Sequence, residues 1–167
     1  GFGLLLSVCC GLGIWYRKQF KLEIENLKTM CQILSLLAGQ VRFGANILAV
    51  CCNEIAERVD EPFRGCLQSI YDRSCRNDGN DFGQVCKECF ENGLKKLVVG
   101  NEEKALFIGC FVKSGFEEER QQLHYIEQVR EELENYLHTH TQELSNKCKM
   151  ALSLGTMSGI LLVILFL

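Results

Sequence analysis

The chain has 167 residues, 47% of them hydrophobic and 23% charged, with a formal net charge of −3. One modest domain with a core fits that length, and the nearly neutral balance excludes the electrostatic footprint of a nucleic-acid binder. A single proline, a mean hydropathy of +0.04 and alternating apolar and charged stretches exclude disorder, collagen-like repeats, a strand-rich sandwich and a multispanning membrane protein.

The average hides the two ends. Residues 1–16 read GFGLLLSVCCGLGIWY without a charge and turn abruptly into Arg17, Lys18 and Lys21. As a helix this run covers about 24 Å, slightly short of a hydrocarbon core of about 30 Å. No initiator Met is present, so a few apolar residues are expected upstream. Trp15 and Tyr16 stand where an interfacial aromatic anchor belongs. The first transmembrane helix is therefore expected over 1–16.

A helical bundle is expected over 17–149. Leu27, Met30/Cys31, Leu34, Leu37/Ala38 and Val41 are spaced three and four apart, predicting an amphipathic helix continuous with the first span and ended by Gly39 and Gly44. Leu48, Cys51/Cys52, Ile55/Ala56 and Val59 predict a second. Asp60-Glu61-Pro62 signals a helix start with Asp60 as N-cap, leading into Phe63, Cys66/Leu67 and Ile70/Tyr71. A loop is expected at Arg76-Asn-Asp-Gly-Asn-Asp81.

The fourth helix carries Phe82, Val85/Cys86, Cys89/Phe90, Leu94 and Leu97, with Gly93 a weak point. Asn101 is expected to cap the fifth, with Glu102 and Glu103 at its positive end. Ser114-Gly-Phe-Glu117 matches a capping box opening the longest helix, whose apolar face runs Leu123, Ile126, Leu133, Leu137 and Leu144. No convincing alternating strand appears. The fold expected is all-α, a bundle of about six helices flanked by two transmembrane helices.

The second transmembrane helix is expected over 150–167, uncharged and closing on Ile-Leu-Leu-Val-Ile-Leu-Phe-Leu. Its Leu, Ile, Val and Phe each favour insertion by roughly 0.3 to 0.6 kcal/mol. The competing reading is a secreted, lipid-anchored helical protein with disulfides, cleaved at both ends. Against it, Lys147 and Lys149 abut the tail and leave no polar spacer. Both cationic flanks belong to the middle region, which the positive-inside rule makes cytoplasmic. Eleven cysteines, many on apolar helical positions, suit a reducing compartment better than a disulfide framework. Small residues recur at every fourth position of each span: Gly3, Ser7 and Gly11 in one, Ala151, Gly155 and Gly159 in the other. Such faces let membrane helices pack closely, within the chain or in a homo-oligomer.

Candidate chemistry is sparse. Cys86-Lys-Glu-Cys89 has the CxxC spacing and His138-Thr-His140 offers two imidazoles, but a second cysteine pair at that spacing for tetrahedral zinc is absent from the sequence. A redox pair lacks its βαβ context. His124 reads as a solvated residue, and Glu117, Glu118 and Glu119 point in three directions around a helix. There is no phosphate-binding glycine loop, Gly-x-Ser-x-Gly or His-Glu-x-x-His. No enzyme and no cofactor are expected.

Taken in order, Leu36-Leu-Ala-Gly-Gln-Val-Arg-Phe-Gly44, Asn53-Glu-Ile-Ala56, Pro62, Phe107, Gly115-Phe-Glu-Glu118 with Gln122, and Leu154-Gly-Thr-Met-Ser-Gly159 before the apolar tail resemble the stage III sporulation protein AB family over essentially the whole chain. Glu118 stands where that family usually has Asp, and Lys113-Ser114 where it has Leu-Gly. The resemblance implies a non-catalytic membrane protein of the mother cell, in the membrane surrounding the forespore. Its soluble domain would look like the cytoplasmic domain of type II secretion platform proteins. The implied partners are stage III sporulation protein AA, an ATPase, and other proteins of the channel complex. Gly115, Glu118 and Gln122, at a helix start with unpaired amides, are the candidate partner contacts.

Overall fold

The computed structural model describes residues 2–42, 48–76, 79–113 and 118–166; the side chains of residues 2–10, 12, 42, 119, 152, 159, 162, 163 and 166 are outside that description. The described residues form six helices and no strand: α1 (Phe2–Arg42), α2 (Leu48–Ala56), α3 (Phe63–Cys75), α4 (Phe82–Gly93), α5 (Asn101–Lys113) and α6 (Glu119–Phe166). Each packs on the next in the chain, and α6 closes back on α1. The expected all-α bundle is present, and the two long helices are continuous from its core into the apolar ends.

The core forms where the apolar periods converge. Leu27, Met30, Ile33, Leu34 and Leu37 of α1 meet Ile126, Val129 and Leu133 of α6, all at most 2% exposed. On the other side, Phe63 of α3, Phe90 of α4 and Phe107 and Phe111 of α5 make a cluster with ring centroids 4.9 to 6.0 Å apart. Burying each such side chain contributes about 1.5 to 3 kcal/mol. Asn26 Nδ2 donates to the Val98 carbonyl at 3.2 Å, tying α1 to the turn before α5.

Four element ends differ from the sequence expectations. Gly39 lies inside α1 rather than ending it, because packing of the flanking Leu37, Ala38 and Val41 outweighs its low propensity. Asp60 does not cap α3. Pro62 holds the cap position after a cis Glu61–Pro62 bond, and it is the Glu61 carboxylate that accepts an orphan amide, from Gly65 at 3.2 Å. Arg64 Nε in turn donates to the Val59 and Ala56 carbonyls at 3.0 and 3.3 Å, satisfying the end of α2. Helix α4 stops at Gly93, and Leu94 to Leu97 form a turn that still buries Leu94.

Asn101 is the first helical residue of α5, so the cap position falls on Gly100, whose carbonyl accepts the Lys104 amide at 3.1 Å. The Glu103 carboxylate folds back over Gly100, where a methyl group would overlap it. The capping box from Ser114 to Glu117 lies outside the described residues.

Candidate functional site

The pairing of α1 with α6 organises the whole molecule. Their antiparallel register is fixed at Tyr16 beside Lys147 (hydroxyl to Nζ, 3.4 Å), at Phe20 beside His140 (centroids 5.7 Å), and at Cys31, which feels the charges of Glu134 and Arg130. Beyond Tyr16 and Lys147 the helices run on as their apolar ends. There Ile14, Trp15, Met150, Leu154, Met157, Ile160, Leu161, Ile164 and Leu165 are all more than half exposed. Among the described residues no helix is long and apolar enough to cross a membrane. Gly1, Leu167 and many side chains of 1–16 and 150–167 fall outside the described set.

Of the small-residue faces, Gly3, Ser7 and Gly159 cannot be placed in contacts, their side-chain surroundings lying outside the description. Gly11 and Gly155 have open space around them: a methyl on either would meet nothing within 4 Å. Ala151 is exposed. Among the described residues, then, nothing packs closely on Gly11 or Gly155.

At the opposite end of α6, the structure separates the candidate partner residues. Gly115 lies outside the described residues. Glu118 is exposed just before α6, and its carbonyl accepts the Gln122 amide at 3.0 Å. Gln122 is 9% exposed and faces inward, so it can position this corner but offers little surface. Arg120, Gln121, His124 and Gln128, near Glu118 on α6, face solvent and line a concavity together with Tyr125. Lys113 Nζ stands 4.4 Å over the Tyr125 ring, a cation–π contact joining α5 to α6. The sequence did not pair Lys113 with Tyr125, because a contact across twelve positions and two helices has no local signature.

The CxxC pair is split in the same way. Cys86 is fully buried and desolvation pushes its thiol far up, while Cys89 is half-buried with its Sγ accepting from Arg73 Nη1 at 3.7 Å. Burial also pushes Cys52 and Cys110 up to about 12 and Cys31 and Cys66 to about 11. The thiolate is the metal ligand and nucleophile, so at neutral pH these groups act as small apolar side chains. Among the described residues no three His, Cys, Asp or Glu side chains gather to hold a metal ion. His138 is exposed, whereas His140 Nε2 approaches the buried Glu103 carboxylate at 3.9 Å.

The class this arrangement defines is a helical bundle carried on a long antiparallel helix pair. The family model for stage III sporulation protein AB matches residues 1–167, and the chain belongs to that family. It is also similar to a solved structure titled stage III sporulation protein AB, with a TM-score of 0.67, 13% identity, and coverage of 74% of this chain and 97% of that one. At that identity the likeness speaks to the fold. A comparison with curated proteins finds no match.

Proposed function

We propose that this sporulation protein is a membrane-anchored platform in the complex linking mother cell and forespore. It would couple a cytoplasmic ATPase, stage III sporulation protein AA, to the membrane assembly without catalysing a reaction itself. The observation that carries the reading is the continuity of α1 and α6. Both helices pack in the bundle and run on from the Tyr16–Lys147 contact into uncharged ends, where the described large apolar side chains are more than half exposed. Two spans of a bilayer, with both ends of the chain on the far side, give those side chains an environment. A load applied to the bundle is then transmitted along two helices rather than through a flexible linker.

The cationic flanks support a cytoplasmic bundle under the positive-inside rule. The thiol form of Cys52, Cys66 and Cys86 within the core suits a reducing compartment. Gly11 and Gly155, with nothing within 4 Å of an added methyl among the described residues, leave room for a second copy, so a homo-oligomer through the membrane segments belongs to the same reading. The ATPase contact is assigned to the corner around Glu118, the exposed member of the candidate set.

The test is co-purification of stage III sporulation protein AA from detergent-solubilised mother-cell membranes, with wild-type chain and with Glu118→Lys. The reading expects co-purification that Glu118→Lys weakens, together with impaired sporulation at unchanged amounts of membrane-bound protein. Normal spores and undiminished co-purification at normal protein levels would reject the site. No co-purification with the wild type would reject the coupling role.

A further inference from the structure

We infer that the junction between the bundle and its apolar ends is a collar that binds anionic phospholipid headgroups of the phosphatidylglycerol type; the inference rests on the membrane reading above. The helix register is what assembles it. With Tyr16 beside Lys147, the cations Arg17, Lys18 and Lys21 of α1 and Lys147 and Lys149 of α6 fall within about 10 Å along the helix axes, residues 131 positions apart at the contact itself. All five are exposed. Residues 16–22 and 144–149, which form this band, contain no Asp or Glu, although the chain as a whole carries a net charge of −3. Among the described residues none of the five makes an ion pair with a carboxylate.

Lys147 is held in place. Its Nζ lies 5.6 Å from the Tyr16 ring centroid and 5.1 Å from that of Phe20, so one charge is fixed at the level of the aromatic anchor. The other four are left to solvent. On the far side of the band the environment changes within one turn: Ile14 is 71%, Trp15 59%, Met150 64% and Leu154 66% exposed. A ring of unpaired cations directly beneath a ring of exposed apolar side chains matches the layout of a phosphate headgroup plane beneath its acyl chains. Glu23 and Glu143 lie on the bundle side of the band, away from that plane. Clusters of Lys and Arg at this position attract anionic lipid by about fivefold for each cation near the surface.

Trp15, the single tryptophan of the chain, reports from within the collar. The full chain is reconstituted into phosphatidylcholine vesicles containing rising fractions of dibrominated phosphatidylglycerol or, in parallel, of dibrominated phosphatidylcholine, and Trp15 quenching is followed. The collar predicts a relative association constant at least about fivefold in favour of the anionic lipid. That preference should shrink in high salt and in Lys18→Gln/Lys21→Gln/Lys149→Gln, whose sites are exposed. Equal quenching by both lipids, with the protein retained on the vesicles after an alkaline carbonate wash, would overturn the collar and leave the membrane reading standing. Protein washed off, with Trp15 unquenched by either lipid, would overturn both.

Discussion

Phe107 stands edge-on to Phe90, with centroids 5.3 Å apart and ring planes at 76°. The same ring meets Phe63 at 6.0 Å and Phe111 at 5.3 Å, so Phe107 is the point at which α3, α4 and α5 share a single packing unit. It has no exposed surface. Phe107→Ala should therefore cost about 3 to 5 kcal/mol, and Phe107→Leu clearly less. Thermal unfolding of the full chain in detergent measures both, and equal, small losses would mean that the cluster is loosely packed.

Gly93 ends α4 against Cys66 of α3, and a methyl group at Gly93 would overlap the Cys66 Sγ. Overpacking of this kind costs about 1 to 3 kcal/mol, against a helix-propensity gain of up to about 1 kcal/mol for Ala over Gly. Gly93→Ala should destabilise the wild type but stabilise a Cys66→Ala background. A double-mutant cycle reads the coupling directly, and additive effects would refute the contact.

The buried thiols set the alkaline limit of stability. Cys52 and Cys110 are raised from 9.0 to about 12 by desolvation. Below pH 9 both states keep these protons, and the stability contribution is fully present. As pH rises from there toward 12 the unfolded chain releases protons that the folded one retains, so stability falls by about 1.4 kcal/mol per pH unit for each thiol. Urea unfolding in reductant at pH 8 and pH 10 should show this loss. Cys52→Ala/Cys110→Ala should lose less between the two pH values, even though it starts from lower stability. A pH dependence parallel to the wild type would contradict the assignment.

Acid acts through Arg73 and Glu88, 2.9 Å apart on α3 and α4. The Arg73 guanidinium, then Gln84, hold the Glu88 carboxyl below its ordinary value. A depressed carboxyl contributes stability above its unfolded pKa and loses it as pH falls through the folded one. Glu88→Gln should therefore be less stable than the wild type near neutrality and converge with it in acid. Both side chains are partly exposed, so the neutral-pH effect should be small and should shrink in salt. A difference that persists undiminished at low pH would assign the effect to packing.

Much of the core was legible in the sequence because α1, α2, α3 and α4 each present one apolar stripe, and Leu27, Leu34, Ile55, Leu67 and Phe90 are buried as their spacing requires. Helix α5 was not. Ala105 to Val112 is apolar apart from Gly109, leaving no polar face to show that Phe107, Cys110 and Phe111 point inward. The caps misled for a related reason. Asp60, Glu61 and Asn101 all offer acceptors, and only backbone geometry decides that Glu61 and Glu103 turn back on their helix starts. At the candidate corner the pattern did not show the inward turn of Gln122, since burial of a polar side chain depends on a neighbouring helix. The α1–α6 register, which assembles the cationic collar, is tertiary information with no local trace.

The central claim is a cytoplasmic bundle held by two membrane helices, and Cys75 tests it most directly. It is exposed at the end of α3, in the bundle rather than the apolar ends. A chain whose other cysteines are replaced by Ala or Ser, with the fold checked by its unfolding transition, is treated in sporulating cells with a membrane-impermeant maleimide. The account predicts protein that stays with the membranes through alkaline carbonate and a Cys75 that reacts only after permeabilisation. Labelling of Cys75 in intact cells, or release of the protein by carbonate, would contradict it.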